Sequence, residues 1–250
     1  MTALSPRSID TSNLPAGPGY RETLLRLLAA HALAEKVTGL GFARALPALA
    51  GYRRQHAIAK NVLEELDHAR LIYDLLAELD VAEAAADALV AAAWQAPSFD
   101  APRAFATTDG DFVDMLLAGF CLDTGGLLMI GRNYAVSSYR PHAEAADAIL
   151  RDERDHDAFA TAEFRRAVDE RGAVIVQQKV GVWIPRGLNF FGPPHSRFTA
   201  ACRAFGFKAV DNSELADEFR RIVERRLTAV GLQMPRLTPT YPHRVLLPSA

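Results

Sequence analysis

Cysteine is almost missing from this chain: Cys121 and Cys202 are the only two in 250 residues, and no CxxC occurs. That excludes a disulfide framework, a zinc ribbon and a rubredoxin-type module, and makes a reducing cytoplasm the expected setting. An excess of one charge is lacking too. With 28 Lys and Arg against 30 Asp and Glu, the net charge is −2, which gives no reason to expect nucleic acid or an anionic membrane as partner. No apolar run reaches the roughly 20 residues needed to cross a bilayer. The N-terminus has no basic start followed by a hydrophobic segment, so no signal peptide is expected. Aromatic residues make up only 8%, and aliphatic and small side chains outnumber them. Half the residues are hydrophobic and alanine is abundant, a composition suited to helix packing on helix in an all-α fold.

The length fits one large domain or two small ones. Residues 1–19 are polar and rich in Pro and Gly and read as an unstructured, flexible arm. From Tyr20 an apolar stripe of Leu24, Leu25, Leu27, Leu28, Leu33, Val37 and Leu40 has helical spacing. Pro47 and Gly51 mark a break, after which a second helix runs from about Leu49 to Leu79. A short alanine-rich helix, Val81–Trp94, follows. Gln95–Gly110, with Pro97, Pro102 and Gly110, reads as a crossover. A third long helix covers about Asp111 to Ser137, Pro141 opens a fourth, and Gly172 ends it. The chain thus divides into a helical bundle over 20–172, a C-terminal helical extension over 173–234 packed on it, and an extended tail over 235–250 punctuated by Pro235, Pro239, Pro242 and Pro248. Within the extension, Val174–Pro185 is read as helix, Gly187–His195 as loop and Ser213–Gly231 as an amphipathic helix.

One pattern of acids and histidines occurs twice. Glu35 is followed by Glu65-Leu66-Asp67-His68, and Asp123 by Glu153-Arg154-Asp155-His156. In each copy the lone acid precedes the ExxH glutamate by 30 residues. Positions i and i+3 share a helix face, so each ExxH aims a carboxylate and an imidazole in one direction. The midpoints, Ala50 and Ser138, fall at the two breaks. A turn there folds each helix pair back, and each arm descends roughly 20 Å from it at 1.5 Å per residue. Lone acid and ExxH therefore meet at one level. Two lone acids and two ExxH pairs from four helices are the ligands of a carboxylate-bridged two-metal site. Oxygen donors with one imidazole per ion suit iron or manganese rather than zinc.

The ligand set read here is Glu35, Glu65, His68, Asp123, Glu153 and His156, with Glu65 and Glu153 bridging and Glu35 and Asp123 terminal. A single ExxH is usually an ordinary solvated helix face. Two copies with equally spaced acids inside apolar stripes are not, because unpaired buried carboxylates cost several kcal/mol each. Glu64 and Asp152, each preceding an ExxH glutamate, are candidates to hold the second nitrogen of the histidines. Asp67 and Asp155 read as surface acids, His31 and His56 as packing or supporting groups, and Cys121 as core. Thr38, Gly39, Gly119, Gly125 and Gly126 flank the lone acids. They line a cavity for dioxygen and substrate, or else allow close helix contact. Trp183, Phe190 and Phe191 read as core more readily than as a substrate box.

The doubled motif resembles the ferritin-like di-iron oxygenases, a four-helix bundle here carrying additional C-terminal helices. Asp123 in place of the more general Glu, and the stretch VGVWIPRGLNFFGPPHS with the following NSELADEFRRIVERRLTAVGLQMP, look like the catalytic subunit of phenylacetyl-CoA and benzoyl-CoA epoxidases. The resemblance covers roughly Tyr20 to Pro235. It implies two iron ions at the six residues, O2 as co-substrate, an electron-donating reductase, an aromatic or acyl-CoA substrate that gains one oxygen atom, and a homo- or hetero-oligomer. Arg53, Arg54, Lys60 and Arg140 are available to CoA phosphates but read as solvated charges. The competing readings are a ferroxidase or metal-storage protein, a scaffold subunit of an oxygenase complex, and a tRNA-modifying hydroxylase. Some 75 residues beyond the bundle and the missing CxxC count against storage, the six intact ligands against a scaffold, and the acidic charge against tRNA.

Overall fold

A computed structural model of the chain describes residues 4–96, 99–107 and 111–243. Pro97, Gly110 and Pro248 lie outside these. The described residues form nine α-helices and no strand: α1 (Pro18–Ala45), α2 (Tyr52–Glu78), α3 (Glu83–Trp94), α4 (Asp100–Thr107), α5 (Phe112–Arg132), α6 (Arg140–Arg171), α7 (Ala173–Asn189), α8 (Arg197–Ala204) and α9 (Asn212–Thr228).

Local chemistry sets most ends. Asp111 caps α5, accepting from the amides of Val113 and Asp114. Asp211 and Glu214 form a reciprocal capping box at α9, satisfying two amides a helix start leaves open. Gly51 and Gly172 hold φ of +94° and +86°, values a side chain resists. They end the turn before α2 and stop α6.

Helices α1 and α2 form one hairpin and α5 and α6 another; α1 packs also on α5, and α2 on α6. The centre of this bundle is α5. The most apolar 18-residue stretch within Phe112–Val136 has a mean hydropathy of 1.6, apolar enough for a bilayer, but 83% of it is buried among the other helices. It is apolar all round because protein surrounds it on all sides.

Three segments differ from the sequence reading. The crossover contains α4, whose Phe105 is fully buried against Phe42. The GLNFFGPPH segment begins as helix: α7 runs through Pro185 and Gly187 to Asn189. Gly187 serves contact rather than a turn. A Cβ there would lie 2.8 Å from Phe219 and 3.0 Å from Cys121, so glycine lets α7 press against α5 and α9. The described part of the N-terminal arm is docked instead of free. Arg7 and Ile9 donate their amides to the carbonyls of Ser137 and Ser138, and Ile9 accepts from Arg140. The α5–α6 turn has backbone groups no helix satisfies, and the arm pairs them. The tail returns along α7, where Asn189 exchanges hydrogen bonds with the backbone of His243.

Candidate metal centre

All six motif residues are buried in the bundle, none more than 5% exposed. Ligand atoms of Glu35, Glu65, His68 and Glu153 lie within 4.8 Å of one another. His68 Nδ1 is 3.6 Å from Glu35 and 3.8 Å from Glu153. His156 Nδ1 is 3.2 Å from Glu65 and 3.8 Å from the same Glu153 oxygen. Glu153 thus stands between the two imidazoles. Asp123, on α5, is buried beside Thr124 with both carboxylate oxygens unpartnered.

The histidines are aimed by acids from the opposite copy of the motif. His68 Nε2 meets Asp152 at 3.1 Å, and His156 Nε2 meets Glu64 at 3.0 Å. Each contact joins α2 to α6. With Nε2 occupied, Nδ1 turns inward, and neither Nδ1 has a hydrogen-bond partner.

The electrostatics are those of several acids buried close together. Burial, followed by repulsion from neighbouring carboxylates, pushes Glu65, Asp123 and Glu153 well above the ordinary carboxylate range. Burial acts the same way on Glu35 but is outweighed by contacts from His31 and His68, so its carboxyl is held low. Burial lowers His156. At His68 it is outweighed by Glu35 and Asp152, and that imidazole is raised. Four carboxylates and two inward imidazole nitrogens, with orphaned oxygens on Asp123, fit two first-row divalent ions: hard oxygen donors, borderline nitrogen, no sulfur. Cations are the partners that would let all four acids remain ionised.

Other groups at the site carry no motif. His31 Nε2 contacts Glu35 at 2.8 Å while its Nδ1 meets His142 at 3.0 Å. The rings of both pack on Tyr134. Behind Asp123, Arg226 of α9 binds both oxygens of Asp157 at 2.7 and 2.6 Å and the hydroxyl of Thr124 at 2.8 Å. Helical spacing makes His31 a neighbour of Glu35. His142, Asp157 and Arg226 have no such signal.

A cavity of about 320 Å³ adjoins the centre. It is lined by Glu35 and Gly126 at one end and by apolar residues including Leu27, Phe99, Met129 and Ile130. Of the small residues flanking the acids, Gly126 lines it; a Cβ there would sit 3.1 Å from Glu153. Gly39 and Gly119 do not. Cβ atoms there would meet Glu65 Cβ at 3.1 Å and Phe42 at 2.8 Å, so these two glycines serve close packing. Thr38 is also absent from the lining, its hydroxyl bonded to the Ala34 carbonyl. Gly125 abuts Phe190. Phe190 and Phe191 line the cavity, whereas Trp183 is core, donating to Asp114. Arg54, Lys60 and Arg140 are engaged with Glu163, Glu64 and Asp10.

A family model described as phenylacetic acid catabolic protein matches residues 10–243. No curated protein matches the sequence significantly. Among solved structures, a Synechococcus protein with aldehyde deformylating oxidase activity superposes with a TM-score of 0.67 at 20% identity, covering 87% of this chain and 93% of that one. A Bacillus halodurans protein assigned provisionally to the class I ribonucleotide reductases gives a TM-score of 0.59 at 15% identity, covering 87% and 82%. At such identities the likeness is one of fold, the ferritin-like helical bundle.

Proposed function

The chain belongs to the phenylacetic acid catabolic protein family, and from that premise we propose that it is a non-haem di-iron oxygenase that adds an oxygen atom to an aromatic or acyl substrate. Glu35, Glu65, His68, Asp123, Glu153 and His156 would hold the two ions. The chemistry such a pair supplies is reductive activation of dioxygen, with electrons from a partner reductase.

The chain's own residues do the rest. Asp152 and Glu64 fix the rings of His68 and His156. Conversion of a fixed ring into a directed ligand is what such outer contacts achieve. His31 holds Glu35, and Arg226 braces the α5 and α6 segments that carry Asp123 and His156. The apolar cavity orients the substrate and keeps bulk water from the reacting atoms.

The observation that carries this reading over storage is the cavity. A ferroxidase needs a path for ions, whereas this lining is mainly aliphatic and aromatic and ends at Glu35 and Gly126. Its size takes the aromatic or acyl part of a substrate; a coenzyme A handle, as the epoxidase resemblance implies, would lie outside it. The test is to load the protein anaerobically with ferrous iron, supply a reductase, and follow O2 uptake with aromatic and acyl acids and their CoA thioesters. Uptake coupled to a product heavier by one 18O atom supports the proposal. Iron deposited in large excess over two per chain, with no oxygenated product, would establish storage instead.

A further inference from the structure

The cavity has a second end. Its α1 face comprises Arg26, Leu27, Ala30, His31, Ala34 and Glu35, so from Arg26 to Glu35 it extends about 13 Å along the helix. Lys208 is also part of the lining and only 7% exposed. Among the described residues its ammonium has no hydrogen bond or ion pair. Arg26 lines the same cavity. The guanidinium of Arg26 lies 4.7 Å from the centre of the Phe198 ring. The acid that acts on Lys208, Asp211, is not in ion-pair contact with it; its Oδ1 accepts from the amides of Ser213 and His195 and from the Ser213 hydroxyl. Asn212 is also buried in this lining, and its Oδ1 has no partner.

A buried ammonium with no acceptor in contact is costly, and burial, offset only in part by Cys202 and Asp211, depresses the lysine's pKa. Lysines are rarely buried without a pair. Here the missing partner would come from the ligand. A carboxylate is the group that meets both needs, as an acceptor for the ammonium and a charge to balance it.

We propose that the cavity binds a free carboxylic acid, its carboxylate on Lys208 and its aryl or alkyl body along Leu27, Met129 and Ile130 toward Glu35. This rests on the oxygenase reading and narrows its substrate from a CoA thioester to a free acid of medium length. Lys208 sets specificity through the head group, and the position oxidised is set by distance from it.

The experiment is calorimetric binding to the iron-loaded full chain without oxygen. The probes are 4-phenylbutyrate and octanoate, their neutral amides, and phenylacetyl-CoA. The acids are expected to bind about tenfold or more tightly than the amides, the scale of one desolvated charge contact. Lys208→Met should abolish that preference and Lys208→Arg should keep most of it. An equal affinity for acid and amide overturns the proposal, as does an undiminished preference in Lys208→Met, no binding by any probe, or tighter binding of phenylacetyl-CoA that ignores Lys208. Should Lys208→Met fail to fold, the acid-to-amide ratio of the unaltered protein decides alone. Binding that depends on Lys208 without any coupled O2 uptake would sink the oxygenase reading while leaving this one standing.

Discussion

Asp123 shows how a residue can be costly to the fold and yet retained. It is 2% exposed and both its oxygens lack partners. Removing an unsatisfied buried group recovers its desolvation penalty, about 1–3 kcal/mol. Metal-free Asp123→Ala should therefore melt higher than the metal-free parent. It should also bind fewer than two ions per chain by elemental analysis. A lower melting point in the absence of metal would mean that Asp123 has a structural partner. Glu35, with His31 at 2.8 Å, is already compensated and should show no such gain. The lone acids thus occupy matched places in the two motif copies but unlike surroundings.

Helix α9 acts on the site although it carries no ligand. Arg226 reaches Asp157 through two hydrogen bonds and Thr124 through a third. Removing one partner of a largely buried ion pair leaves the other uncompensated, at a cost of roughly 3 kcal/mol. Arg226→Met should lower the unfolding free energy from urea titration by about that amount, and Arg226→Met with Asp157→Leu should recover much of it. The start of α9 offers a pH test. Burial works to raise the Asp211 carboxyl, but contacts from Ser213 and His195 outweigh it, and the group is held below its ordinary value. A carboxylate with a depressed folded pKa contributes stability above its unfolded pKa of about 3.9. That contribution is lost as pH falls through the lower folded value. Asp211→Ala should cost about 1 kcal/mol near neutral pH, and the gap to the parent should close in strongly acidic solution. A gap that persists there would assign the cost to packing.

At the scale of the whole molecule, the bundle is assembled around charge it does not itself neutralise. Ions that bind the folded chain alone stabilise it by mass action, about 2.7 kcal/mol per site at a hundredfold excess over Kd. Anaerobic addition of ferrous iron should raise the melting temperature until two equivalents are bound, and a chelator should reverse the rise. Saturation at one equivalent would show that the two motif copies do not form two sites.

Much of this was legible in the chain, for a physical reason. Helical periodicity and helix breakers are local properties. The equal spacing of Glu35 to Glu65 and of Asp123 to Glu153, with breaks at both midpoints, points to one level for the acids and the ExxH pairs, and ligand atoms of Glu35, Glu65, His68 and Glu153 do lie within 4.8 Å of one another. The candidates Glu64 and Asp152 follow from their places beside the ExxH glutamates. Their crosswise pairing does not: Glu64 serves His156 and Asp152 serves His68, which depends on how α2 faces α6. The same holds for Gly39 and Gly119, where only the neighbouring helix decides between cavity and contact, and for Gly187, whose role as a contact lets α7 continue. Arg226 and Lys208 are ordinary residues in sequence. One becomes a brace and the other an unpaired buried cation because long-range packing, which no local pattern encodes, sets what each side chain meets.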